Sequence, residues 1–333
     1  MNSNSLQTPA VPTNIITGFL GVGKTSAILH LLSQKPAHER WAVLVNEFGE
    51  IGVDGSLLNG QYSKEQGIFI REVPGGCMCC ASGLPMQIAL NQLLSKAKPD
   101  RLLIEPTGLG HPKEVLQVLS AEYYKKVLSV QKTLTLVDAR KLTDQRYTSH
   151  DTFNQQIAIA DTIIGNKLDL YRESDRASLV DYVKHRGQKH ANVIFAEFGE
   201  VDLATLQGPI ASLPSQSNHH HDHQVTTSIT DDIIPQCGYI KAENEGEGFF
   251  SVGWRISQEK VFSRQQLILL LAGLRVERMK AVFITDEGIF GYNLSADALT
   301  EVELDDCLES RIEIISDSID ASLEAQLLDC IEP

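Results

Sequence analysis

Apolar residues in the first two hundred positions occur in two arrangements that alternate along the chain. Short continuous runs such as 41–45 predict buried strands, whereas segments such as 25–33 space their leucines and isoleucines as a helix does. The predicted strands are 13–17, 41–45, 68–73, 101–105, 133–138, 162–166 and 192–196, and the predicted helices are 25–33, 85–94, 113–119 and 174–185. This alternation predicts an α/β fold, with a mainly parallel sheet covered by helices on both faces.

The pattern changes after about residue 207. Residues 208–235 are polar and contain His219 to His223, which is typical of a linker. Beyond them lie predicted strands at 238–242, 249–255, 279–285, 289–293 and 311–315, and predicted helices at 263–272 and 321–328. We therefore predict a disordered tail at 1–11, an α/β domain at 12–207, a His-containing linker at 208–235, and a small α+β domain at 236–330.

Composition narrows the class of protein. The chain has 333 residues, 42% of them hydrophobic, and a formal net charge of -14. Such a charge argues against nucleic acid or an anionic membrane as the main partner. No secretory signal and no apolar run long enough to span a membrane is visible, so we expect a cytoplasmic protein.

A glycine-rich loop follows the first predicted strand and precedes the first predicted helix. Gly18-x-x-x-x-Gly23-Lys24-Thr25 matches the phosphate-binding loop of P-loop proteins in that required context. Backbone N–H groups of such a loop surround phosphate oxygens, its Lys reaches the terminal phosphates, and its Thr hydroxyl binds Mg²⁺. The predicted nucleotide-binding residues of this loop are Gly18, Gly21, Val22, Gly23, Lys24, Thr25 and Ser26.

Two further elements concern the nucleotide. Asn166, Lys167 and Asp169 follow a predicted strand, and the Asp carboxylate could accept hydrogen bonds from N1 and N2 of guanine, which favours GTP over ATP. Glu105 ends another strand, where it could hold Mg²⁺ through water or orient the attacking water, and Gly108 N–H could contact the terminal phosphate. We assign catalytic roles to Lys24, Thr25 and Glu105.

Three of the six cysteines, Cys77, Cys79 and Cys80, lie within four positions. Thiolates are soft ligands that favour zinc, copper(I) or iron–sulfur clusters, and in a reducing compartment such groups more often bind metal than form disulfides. Adjacent Cys79 and Cys80 diverge in an extended segment, so a further ligand is needed. The candidates are Glu47, Glu50, His111 and the histidine run, and buried or merely reactive cysteines are the alternative.

Together these motifs resemble the CobW family of metallochaperone GTPases. The resemblance covers about residues 12–320 and is carried by 18–25, 46–50, 76–80, 105–108 and 166–169, with 43–50 and 103–112 most similar to the YeiR-type branch. It implies hydrolysis of GTP to GDP and phosphate, zinc binding by Cys77, Cys79 and Cys80 with Glu50, and transfer to client metalloproteins. Several relatives carry a metal-binding Glu where this chain has Val45.

The hypothesis is a GTPase whose nucleotide state, with Mg²⁺, controls the binding of Zn²⁺ and its delivery. A zinc buffer or sensor without productive GTP turnover, a cobalt- or nickel-inserting GTPase, and a metal-free ATP-dependent kinase are the alternatives. The run His219 to His223 is an auxiliary zinc-capturing arm or a solvated linker, with equal weight. Neither the client nor homo-oligomerisation follows from the sequence.

Overall fold

The computed structural model describes seven segments of the chain, namely residues 10–45, 66–73, 84–211, 234–246, 249–295, 298–304 and 307–332. The predictions for Glu47, Glu50 and the three clustered cysteines, Cys77, Cys79 and Cys80, lie outside the described residues, as do those for the histidine run. Among the described residues, no helix is long and apolar enough to cross a membrane.

The first half of the chain forms a parallel sheet, whose described part has eight strands. The strands are β1 (Val11–Gly18), β2 (Trp41–Val45), β3 (Ile68–Glu72), β4 (Arg101–Glu105), β5 (Leu128–Val130), β6 (Leu134–Val137), β7 (Thr162–Gly165) and β8 (Asn192–Phe195). Their order is β3-β2-β4-β1-β6-β7-β8, and β5 pairs with the start of β1. The loop after β1 therefore lies at the centre of the carboxyl edge, where parallel α/β sheets bind ligands.

Helices cover both faces of this sheet. They are α1 (Lys24–Ser33), α2 (Leu84–Ala97), α3 (Pro112–Leu119), α4 (Gln145–Thr148), α5 (Asp151–Ala158) and α6 (Glu173–Arg186). On β4, Leu103 belongs to a core cluster with residues of α1, α5 and α6, whereas Leu102 belongs to a second cluster with residues of α2 and α3. Successive side chains of a strand point to opposite faces, so both faces are apolar, as predicted.

The last hundred residues form a second, antiparallel sheet. Its strands are β9 (Tyr239–Gly246), β10 (Phe249–Ser257), β11 (Arg278–Thr285), β12 (Gly288–Ser295), β13 (Leu299–Leu304) and β14 (Glu309–Ser316), in the order β13-β12-β11-β14-β10-β9. Helices α7 (Arg264–Gly273) and α8 (Leu323–Leu328) accompany it. The predicted fold class, an α/β unit followed by a small α+β unit, is confirmed.

The two faces of this second sheet differ in chemistry. One face carries Trp254 and Phe283, which are fully buried in a cluster that includes residues of α7 and α8. Two of the alternate positions of β11, Arg278 and Lys280, line a cavity together with residues that follow β1. Phe249 belongs to the core cluster of the first sheet. The second sheet thus has one apolar face and one mixed face, called here the polar face, on which Arg278 and Lys280 lie beside apolar residues such as Phe249 and Val282. The polar face meets the first sheet.

Several elements differ from the sequence prediction. Strand β1 begins at Val11, inside the range predicted as a tail, because Val11 N–H donates to Val127 O at 2.8 Å. Helix α5 and strands β5 and β13 were not predicted. The buried face of α5 includes Thr152 and Gln156 beside its apolar residues, and this weakens the hydrophobic spacing that predicts helices.

Candidate functional site

The glycine loop after β1 folds around the side chain of Lys24. Gly18 and Gly23 have φ angles of 144° and 96°, which disfavour other residue types, and a Cβ at Gly23 would lie 2.4 Å from Asn166 Nδ2. The buried ammonium of Lys24 donates to the carbonyls of Gly18 at 3.0 Å and Phe19 at 3.1 Å. The loop therefore holds this charge at the N-terminus of α1, which favours bound anions.

Asn166 connects this loop with the segments that follow β7 and β8. Its side-chain amide donates to Val22 O at 2.9 Å, and its Oδ1 accepts from Gly199 N–H at 3.0 Å. Asn166 is buried, while Asp169 is exposed at the mouth of the same region. Lys167 adopts a left-handed backbone conformation, with φ at 64°. Asn166 is therefore fixed relative to the glycine loop, and Lys167 and Asp169 follow it directly in the chain.

Glu105, at the end of β4, faces the start of α1. The hydroxyl of Thr25 donates to Glu105 Oε1 at 3.3 Å, and the carboxylate is buried. Hydroxyl and carboxylate oxygens are ligands that Mg²⁺ prefers, so this pair fits the ion that a P-loop requires. Gly108 lies behind Lys24, because a Cβ there would be 3.2 Å from Lys24 Nζ, and its carbonyl accepts from Gln156 Nε2 at 3.0 Å.

The second sheet contributes a cationic side chain, Lys280, to the region around Thr25 and Glu105. Lys280 Nζ donates to Thr25 Oγ1 at 2.7 Å, although 255 residues separate them. Lys280 is 6% exposed. Nearby on the same sheet face, Arg278 pairs with the buried Glu313 at 3.3 Å. A charged group of the second sheet therefore contacts the residue predicted to bind Mg²⁺.

These groups surround one cavity of about 430 Å³. Ten of the twelve predicted nucleotide and catalytic residues line it, namely Gly21, Val22, Gly23, Lys24, Thr25, Ser26, Glu105, Asn166, Lys167 and Asp169. The other two, Gly18 and Gly108, contact Lys24 from behind. The cavity lies in the range typical of small-molecule sites, and its far wall is the second sheet.

The lining also includes residues that sequence reasoning did not single out, namely Leu29, Leu170, Phe198, Arg278, Lys280, Gly291, Tyr292, Asn293, Ala298, Thr300, Glu301 and Val302. For two of these residues, Arg278 and Lys280, the sequence does contain a pattern that indicates their position. Cations at positions 278 and 280 alternate with apolar residues at 279, 281 and 283, which indicates a strand with one charged, inward face.

A salt bridge at the edge of the two sheets joins Arg146, in α4, to Glu277, with 2.7 Å between Nη1 and Oε1. Hydrogen bonding to Asp144 and the charge of Glu277 raise the pKa of Arg146. Tyr147 OH also donates to Glu277, at 3.4 Å. Burial, assisted by Glu277, raises the pKa of the Tyr147 phenol above its ordinary value, so Tyr147 stays neutral and can donate this bond.

The predicted zinc ligands Cys77, Cys79, Cys80 and Glu50 lie outside the described residues. His111, a candidate further ligand, is described, and its Nδ1 lies 3.2 Å from Gln155 Oε1 at the start of α3. Within the segments that the structure describes, no group of three or more His, Cys, Asp or Glu side chains could hold a metal ion.

Comparisons with known proteins agree with this description. Residues 12–195 match the family described as CobW/HypB/UreG, nucleotide-binding domain. The chain is 41% identical to the zinc chaperone YeiR of Escherichia coli K12, over 92% of this chain and 93% of that protein. It is 30% identical to the zinc chaperone CobW of a Sinorhizobium species, over 64% of this chain and 70% of that protein.

Among solved structures, the zinc-bound YjiA GTPase of E. coli aligns with 98% of this chain and 100% of that chain. The sequence identity is 19% and the TM-score is 0.46.

Proposed function

The chain belongs to the CobW/HypB/UreG family of P-loop GTPases, and we propose that it is a zinc-handling GTPase whose nucleotide state controls zinc transfer to client metalloproteins. The observation that carries this proposal is the 41% identity, over 92% of the chain, to a protein named as a zinc chaperone. The cavity supports it, since the residues predicted for base, phosphate and Mg²⁺ surround one space.

On this proposal, the chain binds GTP along the cavity. Asp169 accepts hydrogen bonds from the guanine edge, and the backbone N–H groups of 21–26 surround the phosphates. Lys24 exchanges its bonds to the Gly18 and Phe19 carbonyls for phosphate oxygens. Thr25 and Glu105 hold Mg²⁺, which neutralises phosphate charge when bound.

Glu105 ends β4 beside Thr25, and Gly108 lies three residues later beside Lys24, where both would face the terminal phosphate. Glu105 would orient the attacking water, and Gly108 N–H would contact the phosphate oxygens. These are the groups that P-loop GTPases use for hydrolysis to GDP and phosphate. A side chain at Gly108 would crowd this region, because a Cβ there would lie 2.9 Å from the Leu20 side chain and 3.2 Å from Lys24 Nζ.

Strand register supports communication between the nucleotide and the cysteines. Val45 at the end of β2 pairs with Glu72 at the end of β3 on one side and with Glu105 on the other. Neighbouring strands lie about 4.8 Å apart, so Glu72 and Glu105 are separated by roughly 10 Å along the carboxyl edge. Cys77 follows Glu72 by five residues in the sequence, so the strand that leads to the cysteines ends at the same sheet edge as Glu105.

The zinc affinity in two nucleotide states tests the proposal. Zinc is competed with a chelator in Mg²⁺ plus a non-hydrolysable GTP analogue, and again in Mg-GDP. We expect zinc to bind roughly 5- to 150-fold more tightly with the analogue, as for coupling energies of 1–3 kcal/mol. The double variant Cys79→Ser, Cys80→Ser should lose this difference.

The matched control replaces Cys237 and Cys307 with Ser, since these thiols lie in the second sheet region. The control should keep both zinc affinities of the unmodified protein. Equal zinc affinity in the two nucleotide states would contradict the proposal and would leave a zinc buffer or sensor without productive coupling as the function.

A further inference from the structure

Lys280 occupies an unusual position for a residue of the second sheet. It lies on the polar face of β11, and its ammonium donates to the hydroxyl of Thr25 at 2.7 Å. The residue is 6% exposed. Burying an ammonium is costly unless it is hydrogen-bonded or paired, and the bond to Thr25 offsets part of this cost.

The cavity carries the opposite charge balance from the rest of the protein. Four cationic residues line it against three anionic ones, namely Lys24, Lys167, Arg278 and Lys280 against Glu105, Asp169 and Glu301. The whole chain, by contrast, has a formal net charge of -14. Glu313 behind Arg278 and Lys280 offsets part of their charge, but four cationic side chains around one cavity of an acidic protein still favour an anionic ligand.

Arg278 and Lys280 belong to the second sheet, while Lys24 and Lys167 belong to the first. Lys280 pairs in register with Glu313, and Arg278 forms a 3.3 Å salt bridge with the same carboxylate. A buried carboxylate thus supports these two cations from the side of β14. Arg278 and Lys280 lie within a strand, so the position of their backbone is set by the sheet and not by a surface loop.

From this geometry we propose that Lys280 is a phosphate-binding residue that the second sheet supplies to the nucleotide site. This inference rests on the proposed function, because the ligand that Lys280 would bind is the terminal phosphate region of a guanine nucleotide. Thr25 and Lys24 mark where those phosphates lie in a P-loop, and the flexible Lys280 stem carries its ammonium from Thr25 Oγ1 to a phosphate oxygen. Nucleotide binding then draws on both sheets.

Binding affinities for nucleotide test this proposal without relying on hydrolysis. Fluorescent GTP-analogue and GDP affinities are measured in Mg²⁺ for the unmodified protein, Lys280→Gln and Lys280→Arg. Because hydrogen bonds to charged groups contribute roughly 1.5–3 kcal/mol, Lys280→Gln should weaken analogue binding about 10- to 100-fold. Lys280→Arg keeps the charge and should stay within a few-fold of the unmodified protein.

The control variant is Lys241→Gln. Lys241 lies on β9 of the same sheet, paired with Glu243 at 2.8 Å and Glu324 at 3.0 Å, and it does not line the cavity. Its replacement should leave nucleotide affinity unchanged. Thermal unfolding of each variant shows that it is folded, and Lys280→Met, which retains the stem, replaces the Gln variant if that one unfolds.

Unchanged analogue affinity in Lys280→Gln would overturn the proposal. So would tighter binding, which would show that Lys280 blocks the Thr25 hydroxyl, or an equal loss in Lys241→Gln, which would indicate a general effect on the sheet. If the unmodified protein bound no guanine nucleotide, the proposed function itself would fail, and this result is distinct from a defect confined to Lys280.

Discussion

The two sheets contribute to the cavity in different ways. The first packs an apolar cluster on each face, with Leu102 and Leu103 in separate buried clusters, so the residues that it gives to the cavity lie at its carboxyl edge. The second has one apolar face under α7 and α8 and one polar face with Arg278 and Lys280. A sheet covered on both sides offers a ligand only its edge, whereas a sheet covered on one side offers a whole face.

The largest expected effect distinguishes the two faces of the second sheet. Phe283→Ala removes a fully buried ring from the helix-covered face and should lower the free energy of unfolding by about 3–5 kcal/mol. Asn293→Ala, on the cavity face of the neighbouring strand β12, should change it by no more than about 0.5 kcal/mol.

Urea denaturation of both variants measures this difference. A loss in Asn293→Ala comparable to that in Phe283→Ala would contradict the assignment of a polar, functional face. Small effects in both would indicate that the cluster around Phe283 does not stabilise the second sheet as its burial implies.

The next effect tests the edge of the first sheet. Asp169→Asn replaces two acceptors for guanine N1 and N2 by an amide, and should weaken GTP-analogue binding about 10- to 100-fold. The same amide can donate to the 2-oxo group of xanthine, so affinity for the xanthosine analogue should rise. Nucleotide competition measures both changes.

Asp181→Asn is the matched control, because Asp181 is an exposed carboxylate of α6, 3.6 Å from His185. It should leave the guanosine-to-xanthosine preference unchanged. If Asp169→Asn also left this preference unchanged, residues 166–169 would not determine which base is bound. An adenine nucleotide would then become the ligand to test.

The smallest effect concerns the salt bridge between Arg146 and Glu277, one of the contacts between the two units. Arg146 is half exposed, so its 2.7 Å salt bridge with Glu277 should contribute no more than about 1 kcal/mol to the free energy of unfolding. A double-mutant cycle with Arg146→Ala and Glu277→Gln measures this coupling energy. The exposed Lys125–Glu122 pair, at 3.5 Å within one unit, is the comparison pair. A coupling above about 2 kcal/mol would show that this surface pair holds the sheets together.

Local motifs made the first sheet and its edge predictable. The glycine loop, Glu105 and residues 166–169 each lie at the end of a short apolar strand, and parallel strands bring their carboxyl ends to one edge. The contribution of the second sheet was not predictable in this way. Lys280 and Thr25 are 255 residues apart, and a contact at that distance depends on how two amphipathic surfaces dock.

Linkage gives the most direct test of the central claim, that zinc and the nucleotide terminal phosphate influence each other. The measurement is the affinity for Mg²⁺ plus a non-hydrolysable GTP analogue, with zinc bound and with zinc removed by a chelator. The account predicts tighter analogue binding with zinc, by the same roughly 5- to 150-fold factor by which the analogue tightens zinc. An analogue affinity that is identical with and without zinc would contradict it.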